Sequence, residues 1–578
     1  MATADDRKEV MWRFPRRWCV RFFPQRALIT SGAAPTTPPP QQQQQQQEAE
    51  NAPHPILFNV PVMCRTVGRD AELLTLWQNL LSGRRFQAIT GPDGIGKSTL
   101  AAEFCDRVRR SERFTCIHWL DAKDALPSTL MHFFQSMKGR KEKDVLLVID
   151  GVQDPQAALR LIPEHANVYA LLTTTADVDN SAKLGVLKAL PLPPSAASQF
   201  PNILEAGDLA SAAGEVLHAV GYVPLLMHMA CCLMESEAIG QEELKHQLNA
   251  KGVLGDGVLS ISHALNVLLD IVLDALETQN PGSTRHLLVL SFFDFSSISH
   301  AIVDAVFGDG EAEAFAMLAA GLGICEQRWD DTSLTIHPCV AQALRSRADD
   351  TCVAESAKVL QSLWPRRWRG AGSSVAQELV RHTRAICEGS DVRQLPFTDD
   401  LLLCLDRSAT FLALIEGKDL PTAAELWLRV VEANQKIERR DTEAVRVGRE
   451  CGRLLHFLRD DRAGAVLRYA FGLAREVHGK QSAEAALILG CYAPYLSTSR
   501  DAIRTLQEGT ESLEKRVASV DAVLGKEEER MLHETIFVLL LRQGQMLQEL
   551  GETVPPPLWD GLQRVEERIK SGRRPRPA

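Results

Sequence analysis

Gly91-Pro92-Asp93-Gly94-Ile95-Gly96-Lys97-Ser98 decides the fold of this chain. The stretch satisfies G-x-x-x-x-G-K-[ST] at every position, the pattern of a phosphate-binding loop. Phe86-Gln87-Ala88-Ile89-Thr90 reads as a short buried strand before it, and Ser98-Thr99-Leu100-Ala101-Ala102-Glu103-Phe104 opens a helix after it. The glycines let the backbone curl round an anion with its N–H groups pointing inward, and the helix N-terminus adds partial positive charge. The expected phosphate contacts are Gly91, Gly94, Ile95, Gly96, Lys97, Ser98 and Thr99. Lys97 would set a point charge on the β and γ phosphates, and the Ser98 hydroxyl would hold Mg²⁺. The chain is expected to bind a nucleoside triphosphate or diphosphate.

Downstream of the loop comes Val145-Leu146-Leu147-Val148-Ile149-Asp150, an apolar strand that ends in a carboxylate. A phosphate-loop protein needs an acid there for the Mg²⁺ shell, so Asp150 joins Ser98 as a metal ligand and Lys97 as a catalytic candidate. The next strand ends in Thr173-Thr174-Thr175, whose hydroxyls either sense a γ-phosphate or cap the strand. Strands are expected at 86–90, 115–120, 144–150 and 168–173, with helices at 98–110, 123–138 and 154–162. This alternation predicts an α/β P-loop NTPase domain with a parallel, doubly wound sheet, whose ligand sits at the carboxyl ends of the strands.

The chain has 578 residues, enough for several domains. Its net charge of −10 argues against a protein that coats nucleic acid. Thirteen cysteines, odd in number and without C-x-x-C pairs, read as reduced core thiols and point to the cytoplasm. No run of apolar residues is long enough for a membrane span. Residues 1–55 join a basic, aromatic lead-in to a Pro/Gln-rich stretch with seven glutamines, Gln41 to Gln47, and are expected to be disordered.

Beyond Leu192 strand signals almost vanish. Residues 203–250 and 258–277 look helical, and 283–346 read as helices closing on a hairpin, Gly323–Gln327 and Ser333–His337. Residues 355–570 look almost wholly helical and are followed by a basic tail, 571–578. A faint repeat runs through them: Leu489-Gly490, Ala502, Leu506 and Gly509 fit the large and small positions of a tetratricopeptide (TPR) helix pair. Gly452, Ala465, Tyr469 and Gly472 echo them upstream, and a non-repetitive bundle is the other reading. Stacked pairs of this kind form a surface for protein partners.

Several of these pieces match one family in order. The chain resembles the NB-ARC subgroup of the signal-transduction ATPases with numerous domains (STAND), the switch modules of NOD-like receptors and apoptotic scaffolds. Val67-Gly68-Arg69-Asp70-Ala71-Glu72-Leu73 looks like the family's opening motif, Gly91–Ser98 and Asp150 like its two Walker motifs. Gly221-Tyr222-Val223-Pro224-Leu225-Leu226 is similar to its G-L-P-L segment, and Ile336-His337-Pro338 to its M-H-D motif. The resemblance implies a nucleotide-binding domain at 56–200, a helical subdomain at 201–280, a winged-helix-like subdomain at 281–350 and a TPR-like solenoid at 355–570. It implies adenine and ribose contacts near Val67 and Arg69, Pro224 against the base, and His337 on the ADP β-phosphate. The implied function is a switch, closed with ADP and self-associating with ATP and Mg²⁺. The other reading is a degenerate NTPase scaffold acting through its helical region. Gly151 stands where many members carry a second acid, Thr175 where an arginine is common, and Pro338 where M-H-D has its aspartate, so at most slow hydrolysis is expected. The acids of 283–346 outnumber its bases, which argues against DNA contact by that segment.

Overall fold

The computed structural model describes residues 56–58, 60–61, 66–111, 113–122, 130, 133–134, 144–163, 167–179, 184–197, 212–236, 239–253, 260–308, 312–328, 333–365, 373–417, 419–480, 482–496, 499–519, 526–550, 552 and 554–571. The N-terminal stretch, most of the expected 123–138 helix and the basic tail after Ser571 lie outside them.

The first part alternates strand and helix: β1 Ile56–Phe58, α1 Asp70–Leu81, β2 Phe86–Thr90, α2 Lys97–Arg109, β3 Cys116–Asp121, β4 Val145–Asp150, α3 Pro155–Arg160, β5 Val168–Thr174 and β6 Leu184–Lys188. The six strands form one sheet in the order β1-β3-β4-β5-β2-β6, with every pairing parallel. Sequence patterning found four of them; β1 and β6, the two edges, are additions. Side chains alternate across a strand, so β4 sends Leu146 and Val148 to one face and Val145, Leu147 and Ile149 to the other. Leu73, Leu76 and Leu80 of α1 and Leu100 and Phe104 of α2 cover the first face. Leu130, Phe133, Ala158 of α3 and Ile162 cover the second. Covering both faces of a parallel sheet explains why β4 reads as an unbroken apolar run. Register sets Ile89 of β2 beside Thr173 of β5, and Ile149 of β4 beside Leu172, so the ends of these strands converge.

Helices follow: α4 Pro194–Ala197, α5 Ala212–Ala219, α6 Pro224–Glu235, α7 Gln241–Ala250 and α8 Ile261–Gln279. The chain then forms α9 Ser283–Leu290, β7 Ile298–Ser299, α10 His300–Phe307, α11 Ala312–Gly321, β8 Cys325–Arg328, β9 Ser333–Ile336 and α12 Pro338–Arg347. The expected hairpin is present as antiparallel β8 and β9, and the two-residue β7 joins it in the order β7-β9-β8.

The remainder is helical: α13 Asp350–Leu363, α14 Ser373–Val392, α15 Asp399–Thr410 running into a wider turn at Phe411–Glu416, α16 Leu420–Lys436, α17 Thr442–Leu458, α18 Ala463–Val477, α19 Ala483–Tyr492, α20 Ser499–Ser519, α21 Lys526–Glu549 and α22 Pro556–Ser571. Neighbours in sequence pack on one another from α15 to α19, and again from α20 to α22. Alternate helices share a layer: Arg446 of α17 meets Asp406 of α15 at 2.6 Å, and Arg449 of α17 meets Glu484 of α19 at 2.5 Å. The whole fits a P-loop NTPase sheet followed by a helical solenoid. Among the described residues no helix is long and apolar enough to cross a membrane.

The downstream repeat positions behave as read, since Leu489, Ala502 and Leu506 are buried together. The upstream echo fails at its two small positions on α18. Ala465 and Gly472 are exposed, while Ala463, Ala470 and Ala474 are buried one face away. Gly452 does hold the close-approach role, lying against Leu467 where α17 meets α18, and Gly448 against Ala470 adds a position the echo did not include.

Two arginines tie α12 to its neighbours. Arg345 of α12 donates to the carbonyls of Ser291 (2.5 Å) and Phe293 (3.1 Å), with its guanidinium over the Phe292 ring. Arg393, just past α14, donates to the carbonyls of Arg345 and Ala348, capping the last turn of α12.

Candidate nucleotide site

The loop between β2 and α2 is shaped by backbone that only glycine adopts readily: φ is +77° at Gly94 and +90° at Gly96, which serves as the N-cap of α2. Lys97 Nζ lies across this loop and donates to the carbonyls of Gly91 (3.0 Å) and Pro92 (2.9 Å), with Asp93 Oδ1 at 3.4 Å. Ser98 Oγ donates to Asp150 Oδ1 at 2.7 Å, so the first turn of α2 and the end of β4 are in direct contact.

Thr173 completes this group. Its hydroxyl donates to the same Asp150 oxygen and accepts the Gly151 N–H at 2.8 Å. Thr174 instead accepts from Ala176 N at 3.0 Å and caps the strand end. Thr174 thus takes the capping role, while Thr173 orients the acid, a role outside the two that the sequence suggested. Gly151 stands at φ +76°, a conformation that disfavours a side chain, so this turn is built for glycine and offers no second carboxylate.

Arg69 is 4% exposed, and its guanidinium is engaged by the protein itself. It meets Glu72 Oε1 at 2.7 Å, Leu190 O at 2.6 Å and Ile95 O at 2.7 Å. It thus fastens the opening segment, including half-buried Val67, to the phosphate loop and to the chain leaving β6.

Two distant elements come to the loop. Gly221 and Tyr222, both at positive φ, turn the chain into α6, which begins at Pro224. Leu225 N then donates to Gly94 O at 3.2 Å, and Pro224 Cγ would lie 3.9 Å from a Cβ placed on Gly96. His337 is the N-cap of α12, with Nδ1 accepting from Cys339 N at 3.2 Å. Burial pushes the Cys339 thiol up to about 12; Asp93 adds to the rise and Lys97 opposes it, so the first turn of α12 lies in the field of the phosphate loop. The sequence places Thr173 at a strand end and Leu225 in the segment 221–226, whereas nothing local marks Cys339 for its position.

The donor set suits a magnesium–nucleotide. Ser98 and Asp150 supply hard oxygen ligands, Lys97 a point charge, and the loop and the α2 N-terminus backbone N–H groups. The buried thiols of Cys105, Cys231 and Cys232 are all pushed up by burial and take no part.

No protein-family model matches the chain, and no curated protein is similar to it. Among solved structures the chain is similar to a signal transduction ATPase with numerous domains (STAND) protein with a tetratricopeptide repeat sensor from Pyrococcus horikoshii, at 13% identity and a TM-score of 0.40 over 89% of this chain and 82% of that one. It is also similar to BtubC from P. vanneervenii, at 14% identity and a TM-score of 0.25 over 41% of this chain and 89% of that one.

Proposed function

We propose that this chain is a nucleotide-controlled signalling switch of NB-ARC type, with residues 56–200 as the nucleotide-binding domain. Residues 201–280 form a helical subdomain, 281–350 a winged-helix-like subdomain and 355–570 a TPR-like array for protein partners. The observation that carries the reading is the Ser98–Asp150 hydrogen bond at 2.7 Å beside Lys97, with α6 and α12 both brought to the loop. A bound Mg-nucleotide supplies the phosphate charge and the metal that these side chains answer. Lys97 would give up its loop carbonyls for phosphate oxygens, Ser98 and Asp150 would hold Mg²⁺, and Thr173 orients Asp150.

His337 supplies the dependence on conformation. With Nδ1 accepting from Cys339 N, the neutral ring carries its proton on Nε2, the atom that would donate to the ADP β-phosphate. A hydrogen bond to a charged group contributes ~1.5–3 kcal/mol. In a switch whose closed form holds α12 beside the loop and whose open form releases it, that contribution would favour the closed form, as a population shift requires. ATP in place of ADP would favour an open, self-associating form in the cytoplasm. Gly151 and Thr175 provide no general base and no arginine for the γ-phosphate, so turnover is slow. Gly151 also favours a second reading, a scaffold that retains the fold and hydrolyses nothing.

The test is to denature the purified chain and identify released nucleotide by chromatography, for the wild type and for Lys97→Ala. Stoichiometric ADP in the wild type and none in the variant is the expected result. An empty wild type that also fails to take up ATP in calorimetry would leave the scaffold reading.

A further inference from the structure

The shared layer of α15, α17, α19 and α21 carries a charge pattern that changes along its length. At one end acids and bases answer one another: Arg446 pairs with Asp406 and Glu443, and Arg449 with Glu450 (2.7 Å) and Glu484 (2.5 Å). Further along α17 the balance fails. Arg453 is 57% exposed, and its carboxylate partner is Glu450 at 3.6 Å, which Arg449 already holds. Arg542 of α21 donates to Gln545 Oε1 at 2.9 Å and has no carboxylate partner among the described residues.

These two arginines share one neighbourhood. α19 packs against both α17 and α21, and Cys491 on α19 lies in the fields of Arg453, Arg542 and Arg449, with Glu450 opposing them. The His456 Nδ1 and the Tyr495 hydroxyl meet at 2.8 Å across the same junction, and Arg542 acts electrostatically on both. One turn beyond Arg453, on the same helical face, Phe457 is 71% exposed, and Leu541, next to Arg542, is 43% exposed.

We propose that this junction of α17, α19 and α21 is a docking surface for an acidic peptide segment of a partner protein, with carboxylates against Arg453 and Arg542 and an apolar side chain on Phe457. One guanidinium that must share its acid with Arg449 and one with no carboxylate partner among the described residues select for negative charge by complementarity. Planar guanidinium forks match carboxylates in a way that lysine does not. The exposed ring beside them supplies apolar area that bare charge attraction would not use. The inference rests on the reading of the helical array as the partner-binding region, and it names what that region recognises.

The test starts from the full chain, panned against a phage library of random dodecapeptides. The strongest enriched peptide is then titrated as its fluorescein conjugate by polarisation. Enriched sequences should carry two or more Asp or Glu residues near an apolar one. Affinity should fall at least about tenfold in the Arg453→Gln/Arg542→Gln double variant and fall further with added salt. The double variant should keep the helical circular dichroism of the wild type, and Phe457→Ala, a surface change, should weaken the same peptide. Neutral or basic enriched sequences, no enrichment, or an acidic peptide that binds the double variant unchanged would overturn the proposal. Lys97→Ala should bind the peptide as the wild type does. A wild type that neither carries nucleotide nor takes up ATP therefore sinks the switch and leaves this surface standing, whereas retained nucleotide without acidic selection does the reverse.

Discussion

In the phosphate loop Gly94 and Gly96 stand at φ +77° and +90°, whereas in the helical array Gly448 and Gly452 lie inside the regular helix α17. The first pair is there for backbone conformation, the second for space. A Cβ on Gly452 would come within 2.5 Å of Leu467 Cδ2 and 2.7 Å of its Cγ. At Gly94 both demands meet, because its Cβ would also lie 3.0 Å from Leu225. The loop region is thus set by a few backbone angles and hydrogen bonds, and the array by the fit of many side chains. Damage to the one should appear in ligand binding and damage to the other in stability.

The sharpest way to break that contrast is Trp427→Ala. Trp427 is buried in α16 and donates its indole N–H to Asp406 at 2.8 Å. Its removal should destabilise the array by about 3–5 kcal/mol in urea melts. Nucleotide content of the folded fraction should stay the same; if it falls in parallel, the two regions are not separable. Next come the glycines as a pair. Gly94→Ala forces a left-handed residue at about 1–2 kcal/mol and should weaken nucleotide affinity by roughly tenfold. Gly452→Ala should shift the urea midpoint through overpacking of about 1–3 kcal/mol, partly offset by better helix propensity, and leave affinity alone.

Thr173→Val sharpens the comparison within the site. It removes the hydroxyl that orients Asp150 and keeps the shape of the strand. Affinity for ADP with Mg²⁺ should drop about tenfold and affinity without Mg²⁺ should hold, since a hydrogen bond to a carboxylate contributes ~1.5 kcal/mol or more. Thr173→Ser should restore the wild-type value. An equal loss with and without the metal would make Thr173 a general structural residue.

The smallest effect belongs to the array's surface. The Arg462 side chain and backbone N–H hold Asp460 down at about 2, below its ordinary 3.8. A lowered folded pKa stabilises above the ordinary value and is lost as pH falls from about 4 towards 2. The pair is largely solvated, so Asp460→Asn should lower stability by no more than about 1 kcal/mol at pH 6. The difference from wild type should shrink at pH 3 in matched urea titrations; a constant difference would remove the ion pair as its cause.

Much of the site was legible because its parts are contiguous or sit at the ends of apolar runs. Gly91–Ser98 are consecutive, and Asp150 closes the strand 145–150. β6 escaped because Leu184-Gly185-Val186-Leu187-Lys188 is a short edge strand with a glycine at its second position, which weakens its strand signal. Two positions of the upstream repeat, Ala465 and Gly472, were placed on the wrong face because small residues occur on both sides of α18. Composition cannot say which of Ala463 and Ala465 faces α17.

By itself the sequence determined the phosphate loop, the parallel sheet and the helical remainder, since each is written in local spacing of glycines and apolar residues. Only tertiary structure decided what meets the loop: Leu225 on Gly94, Cys339 near Asp93 and Lys97, and Arg69 turned onto protein carbonyls. The reason is physical. Loop conformation depends on steric limits within a few residues, whereas those contacts join segments far apart in the chain. Their selection comes from the burial of whole helix faces, which no short stretch of sequence encodes.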